Sequence, residues 1–198
     1  MARPNVGMMY PVFAPITSHT DGSMPTYGAG IVIQEARNAT ITRTYNDNPL
    51  YGDDRIVDDD NGLTALSISF EPTGLSDTER VKLFKEGTMG VSGTTVYTVG
   101  DGETQYGGFA FIRKMRDNGV KKFEVWLTLK IKFQEESMTT STKEGSISWN
   151  TPTLNGRAAG LYIDSTDELK WQLHYTFETI QAAKTWINSV LNVSAGTT

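Results

Sequence analysis

From residue 123 to residue 134 apolar and polar side chains alternate without a break, and this run constrains the fold more than any other feature of the chain. Phe123, Val125, Leu127, Leu129, Ile131 and Phe133 share one parity, and Glu124, Trp126, Thr128, Lys130, Lys132 and Gln134 share the other. Successive strand side chains point to opposite faces, so the pattern predicts one long strand, buried on its apolar side and wet on the other. Residues 109–116 are also strand-like, and Asp117-Asn118-Gly119 between the two runs supplies the positive φ angles of a tight turn. Residues 108–134 therefore read as one long hairpin.

The same reasoning places strands at residues 29–35 and 40–45, both rich in β-branched side chains. Further strands are expected where Leu66, Ile68 and Phe70 alternate with serines, and where Ile147 and Trp149 do so before Pro152. Another is expected where Trp171, Leu173, Tyr175 and Phe177 form a one-sided face. Two segments change period. Ser76-Asp77-Thr78-Glu79 is a capping box opening a short helix over 76–86, which Gly87 is expected to stop. Ile180, Ala183, Trp186, Ile187, Val190 and Leu191 make one apolar stripe on a helix over 179–191. Neither helix has a helical partner, so each should pack on a sheet. The expected class is mainly β: two packed antiparallel sheets, sandwich- or barrel-like, with a long hairpin and flanking short helices. Residues 87–108 read as a flexible loop with a short strand at 95–99. Residues 1–27, with four prolines and little period, read as an extended N-terminal arm, leaving 28–198 as the single β domain.

At 198 residues, 38% hydrophobic and 21% charged, the chain is long enough for a sizeable core and has the composition of a globular protein. It has no cysteine, which excludes disulfide scaffolds, zinc-thiolate sites and cysteine nucleophiles. No apolar run approaches the roughly 20 residues of a membrane span, and the first residues lack the apolar stretch of a secretion signal. A soluble protein made in the cytosol is the expectation. The net charge of −5 also argues against ordinary duplex binding, which relies on Lys and Arg.

Catalytic motifs fall short. Gly90-Val91-Ser92-Gly93-Thr94 lacks the last glycine of a nucleophile elbow. Gly28-Ala29-Gly30 lacks the third glycine of a dinucleotide fingerprint, since Ile33 stands there. The only two histidines, His19 and His174, are far apart and lack metal-ligand spacing. Glu135 and Glu136 are neighbours on a strand and face opposite ways, which does not make an acid pair. No metal, cofactor or catalytic residue is expected.

Charge is unevenly distributed. Residues 46–62 carry Asp47, Asp53, Asp54, Asp58, Asp59 and Asp60 against Arg55 alone. Their order does not match a calcium loop, and the segment reads as a solvated loop, a cation site or a charged contact surface. The long hairpin carries Arg113, Lys114, Arg116, Lys121, Lys122, Lys130 and Lys132 against Asp117 and Glu124. Opposed patches favour head-to-tail contacts between identical subunits, closing into rings or propagating as filaments. Trp126, an aromatic among lysines, points to a protein interface on that hairpin.

One series of segments is familiar. Asn48-Pro49-Leu50-Tyr51-Gly52-Asp53-Asp54-Arg55 is followed by Tyr106-Gly107-Gly108-Phe109 and by Thr142-Lys143-Glu144-Gly145-Ser146-Ile147. Next come Thr151-Pro152-Thr153-Leu154-Asn155-Gly156 and a closing Phe177-Glu178-Thr179 helix with Trp186. In this order they resemble the major tail proteins, or tail tube proteins, of long non-contractile-tailed bacteriophages.

The resemblance implies two packed β-sheets with a flanking helix, and subunits joined as hexameric rings stacked into a tube. The genome passes through a usually negative lumen without sequence-specific binding, and no active site or cofactor is expected. Tape-measure and terminator proteins would be partners. The protein would be assembled in the bacterial host cytoplasm and reside in the virion tail, with no membrane. Asp53, Asp54 and Asp58 to Asp60 would be inter-ring or lumen groups, and the N-terminal arm a stacking element. Free strand borders on a long hairpin invite aggregation unless paired, and ring closure would pair them. Alternatives are a related ring component, such as a tail terminator or secretion-system tube protein, or a carbohydrate-binding β-sandwich using Trp126, Tyr97 or Tyr106.

Overall fold

A computed structural model describes residues 5–33, 35–100, 102–117, 119–137 and 151–194. In chain order the strands of the first half are β1 (Asn5–Ser18), β2 (Thr26–Tyr27), β3 (Ile31–Val32), β4 (Ala36–Tyr45), β5 (Asn48–Gly52), β6 (Arg55–Asp60) and β7 (Leu63–Pro72). Helix α1 (Asp77–Phe84) precedes β8 (Gly87–Val91), β9 (Thr94–Thr98), β10 (Gly107–Asp117) and β11 (Val120–Ser137). The chain ends in β12 (Thr153–Ala158), β13 (Gln172–Phe177) and α2 (Ile180–Val190). The protein is mainly β and antiparallel, as its alternation requires.

The main sheet runs β2-β1-β10-β11-β12-β7-β4, and β13 adds to β11. It curls back on itself. Val12 and Phe13 of β1 pair with Val32 and Ile31 of β3, four residues before β4 begins its ladder with β7 at the opposite border. The chain switches ladders at Glu35, whose φ of 46° turns the backbone. The expected strand at 29–35 is thus reduced to β3, and β4 starts at Ala36 rather than at 40.

Two cores result. One lies between the layers, where Phe13, Phe109, Phe111, Ile131 and Phe133 meet Leu66, Ile68, Phe70, Leu154 and Leu83 of α1. Its rings pack edge to face, with Phe109 at 5.1 Å from Phe133 and 5.2 Å from Phe70. The other lies outside β1, β10 and β11, where Val12, Ala14, Ala110, Ile112, Val125, Leu127 and Leu129 meet Ala183, Ile187 and Leu191. The apolar stripe of α2 therefore packs on the sheet as its spacing predicts. Because both faces of β10 are covered, Phe109-Ala110-Phe111-Ile112 is buried without alternation.

The hairpin β10–β11 forms with its turn where expected, with Asp117 opposite Val120 and Gly119 at φ 83°. The expectation of one apolar face along all of β11 is corrected. Phe109 pairs with Thr128 but Gly107 with Ile131, so Leu129 and Lys130 form a bulge. The extra residue reverses the parity. Val125, Leu127 and Leu129 point to the outer core, whereas Ile131 and Phe133 point between the layers. The bulge also changes partners: before it β11 pairs with β13, and after it with β12. Tyr27 Oη donates to Leu129 O at 2.8 Å, and Leu129 N donates to Trp171 O at 3.1 Å, so the bulged residue is satisfied off the ladder.

The largest correction concerns the N-terminus. Residues 5–18 are not an arm but β1, with Val12, Phe13 and Ala14 fully buried and a ladder to β10 from Asn5↔Met115 to Pro15↔Gly107. Its period is hidden because both faces are covered and two register shifts, near Gly7 and Tyr10, break the alternation. The boundary expected after residue 27 falls within this sheet. The acidic segment 46–62 and the 87–108 loop are also largely strand, each holding a two-residue-turn hairpin, β5–β6 and β8–β9.

Strand β12 had no sequence signal, since Thr-Leu-Asn-Gly-Arg-Ala reads as a turn. Gly156 is needed there because a Cβ would come within 2.5 Å of Ile131 and 2.7 Å of Phe133. Helix α1 has its capping box, with Ser76 N donating to Glu79 Oε2 at 2.6 Å, but Lys85 at φ 58° ends it rather than Gly87. The strand expected around Ile147 and Trp149 lies outside the described residues.

Candidate assembly surfaces

The acidic residues are spread along β5–β6. Asn46 N donates to Gly62 O at 2.7 Å and closes the hairpin's base, beside Asp47. Asp53 and Asp54 form the turn, with φ of 50° and 58°, a conformation Asp tolerates better than most residues. Asp58 lies opposite Leu50, while Asp59 and Asp60 follow in register with Pro49 and Asn48. The hairpin forms a separate two-stranded sheet, with Tyr51 67%, Ile56 57% and Val57 60% exposed. β8–β9 is likewise separate, and it exposes Met89, Val91 and Tyr97.

The basic residues of the long hairpin divide into three groups. Lys130 and Lys132 lie 4.7 and 5.5 Å from the Tyr106 ring centroid, and Lys132 reaches Glu103 at 3.4 Å. Arg113 is bound to Glu124 at 2.6 Å, and Lys122 to the exposed Glu178 at 3.2 Å. Lys114, Arg116 and Lys121 are exposed near the turn, and no ion pair reaches them among the described residues. Arg116 stands directly opposite Lys121 in the ladder, and Lys114 opposite Phe123.

Trp126 is placed differently from the expectation of an open interface aromatic. Its Nε1 donates to Glu124 Oε2 at 2.8 Å, and His174 stacks on the ring at 5.0 Å with the planes 21° apart. Arg43 and Arg113 each hold a guanidinium 5.3 Å from the ring centroid. The cause is the bulge: before it, the even positions of β11 turn toward the space between the layers. Thr128 is 1% exposed and Glu124 7%. Arg43 donates to Gln172 Oε1 at 2.8 Å and Gln172 to Thr128 Oγ1 at 2.9 Å, so these polar groups close one end of the inter-layer core. Glu124, Trp126 and Thr128, expected on a wet face, form a plug, whereas Gln134 beyond the bulge is exposed. Arg43, Gln172 and His174 carry no sequence signal for this role, because β4 and β13 reach the site only through the fold.

At the other end, Arg80 of α1 bridges Glu86 at 2.9 Å and Glu135 at 2.8 Å. The two carboxylates hold its guanidinium above the ordinary arginine value. Glu135 therefore serves as a tie between helix and strand. Among the described residues no group of three or more His, Asp or Glu is placed to hold a metal, and no helix is long and apolar enough to cross a membrane.

Both charged hairpins project from the same end of the sheet. β5–β6 leaves where Tyr45 pairs with Leu63, and Arg43, two residues earlier, lies against Trp126. From Trp126 the long hairpin continues outward through Glu124 and Lys122 to its turn. No known family model matches the sequence, and no curated protein matches it either.

Proposed function

We propose that this chain is the structural subunit of a bacteriophage-type tail tube. It joins copies of itself into hexameric rings that stack around a channel for the viral genome, and it has no catalytic role. Its place is the virion tail, assembled in the host cytoplasm beside tape-measure and terminator partners. The hexamer, the stack and the conduit come from the ordered resemblance of the segments around Asn48, Tyr106, Thr151 and Phe177 to tail tube proteins.

The observation that carries the reading is the amount of strand left without support in one copy. A lone two-stranded hairpin is marginal in water, yet β5–β6 and β8–β9 both stand apart from the main sheet with apolar side chains exposed. β4, ten residues long, pairs with β7 alone, and β13 with β11 alone, leaving two borders open among the described residues. Open borders of this length invite strand addition. Neighbouring copies would cover them.

The carbohydrate-binding alternative loses support at Trp126, whose ring is occupied by Arg43, Arg113 and His174. Electron microscopy of the purified protein over a range of concentrations tests the proposal. Rings and tubes with a central channel are expected. Isolated single rings would point to a terminator, and a monomer at every concentration would refute self-assembly.

A further inference from the structure

We infer that the acidic hairpin β5–β6 of one copy seats in the basic groove at the β10–β11 turn of the next copy, side by side at the same height. This rests on the self-assembly proposed above and names the surfaces that make it.

The groove is lined by Lys114, Met115, Arg116, Lys121, Lys122 and Phe123 and encloses about 390 Å³. Phe123 is the apolar group on the face that carries Lys114, Arg116 and Lys121, while the buried Met115 lies on the other face beside Lys122, which Glu178 holds. The β5–β6 hairpin has the complementary form: Tyr51, Ile56 and Val57 are exposed apolar groups beside the acidic turn of Asp53 and Asp54. An apolar centre within a charged rim is the usual anatomy of a specific protein contact.

The groove is also unfavourable as it stands. Arg116 directly opposes Lys121 across the ladder, and like charges so placed destabilise a sheet. A carboxylate between them would attract both and outweigh their repulsion. A nucleic acid phosphate would serve the cations equally, but it would leave the exposed Tyr51, Ile56 and Val57 unburied and repel the aspartates beside them. A second copy satisfies both surfaces at once.

Placement then sets the symmetry. Because both hairpins leave the same end of the sheet, hairpin and groove can meet by rotation about an axis without a shift along it. A heterologous contact without that shift is the kind that closes into a ring when its rotation divides a full turn.

Charge reversal in trans tests this. One full-length variant carries Asp53→Lys with Asp54→Lys, and the other Arg116→Glu with Lys121→Glu. All four sites are exposed, so circular dichroism should match the parent, while melting should fall slightly in the Asp53/Asp54 variant alone, whose lysines stand at positive φ. In sedimentation velocity each variant alone should associate at least about tenfold more weakly than the parent. An equimolar mixture should recover association, because each variant then meets a partner of opposite sign. Parent-like association of the single variants, or a mixture no better than its parts, overturns the contact while leaving self-assembly standing. A parent that never associates overturns both. Labelled duplex DNA is the control: DNA binding lost in the Arg116/Lys121 variant, with association unchanged, would assign the groove to nucleic acid instead.

Discussion

Tyr27 shows how much of this fold rests on single polar contacts. Its hydroxyl reaches the carbonyl of the bulged Leu129, 102 residues away in sequence, from within the outer core. Burial pushes its phenol well above the ordinary tyrosine value. The folded state thus holds the proton more tightly than the unfolded one. The resulting stability is complete below the ordinary tyrosine value near 10 and is lost as pH rises above it. Tyr27→Phe should cost about 1–2 kcal/mol near neutral pH, by leaving a buried carbonyl without its donor. It should also flatten the alkaline fall in stability relative to the parent, as followed by urea titration at several pH values. Glu124 is the second such residue, since its carboxylate accepts from Arg113 and Trp126 while 7% exposed. Glu124→Ala should cost about 3 kcal/mol, because the partly covered Arg113 loses its counter-charge. A red shift of tryptophan fluorescence would report the loosened Trp126; unchanged stability and emission would refute the plug.

At the scale of elements, caps and turns behave as local chemistry directs. Ser76 and Glu79 close the start of α1 within the segment that names them, and the capping box was legible for that reason. Its end was not. Lys85 takes the left-handed φ of 58°, a conformation that costs a residue with a side chain about 1 kcal/mol. Lys85→Gly is therefore expected to raise the melting temperature by a few degrees. β12 depends on close approach, and Gly156→Ala should destabilise by about 1–3 kcal/mol through contact with Ile131 and Phe133. The N-terminal strand gives the sharpest contrast with the sequence reading. Deleting residues 1–27 should abolish folding, because it removes Phe13 from one core, Val12 and Ala14 from the other, and the partner of β10. A soluble, cooperatively melting truncation would show β1 to be dispensable.

For the whole molecule, the curled sheet is finished in its cores and unfinished at its borders. Both cores are closed, and Arg80 and the Trp126 cluster tie the two ends. Two hairpins stand apart from the main sheet, and β4 and β13 each pair on one side only among the described residues. If the contacts between copies are charged at their rims, assembly should weaken as salt screens them. Raising ionic strength from 0.1 M to 1 M shortens the Debye length from about 10 Å to about 3 Å. The assembled fraction in sedimentation should fall over that range, while the melting temperature of the isolated subunit changes little. Assembly indifferent to salt would mean that the apolar parts of the hairpins carry it instead.

The sequence by itself determined the features whose causes lie within a few residues of one another. These are the β10–β11 hairpin with its turn, both helices, the first with its opening cap, the mainly β class and the separation of acidic from basic segments. The tertiary structure alone decided where those features face. One bulged residue in β11 turned an expected wet face into the plug around Glu124 and Trp126. Pairing on both sides made a strand of an apparent arm, and the path of the sheet brought the two charged hairpins to the same end. Periodicity and capping are set by neighbours along the chain. A register shift, a doubly covered strand and a shared end depend on partners far away in it, and no local pattern records them.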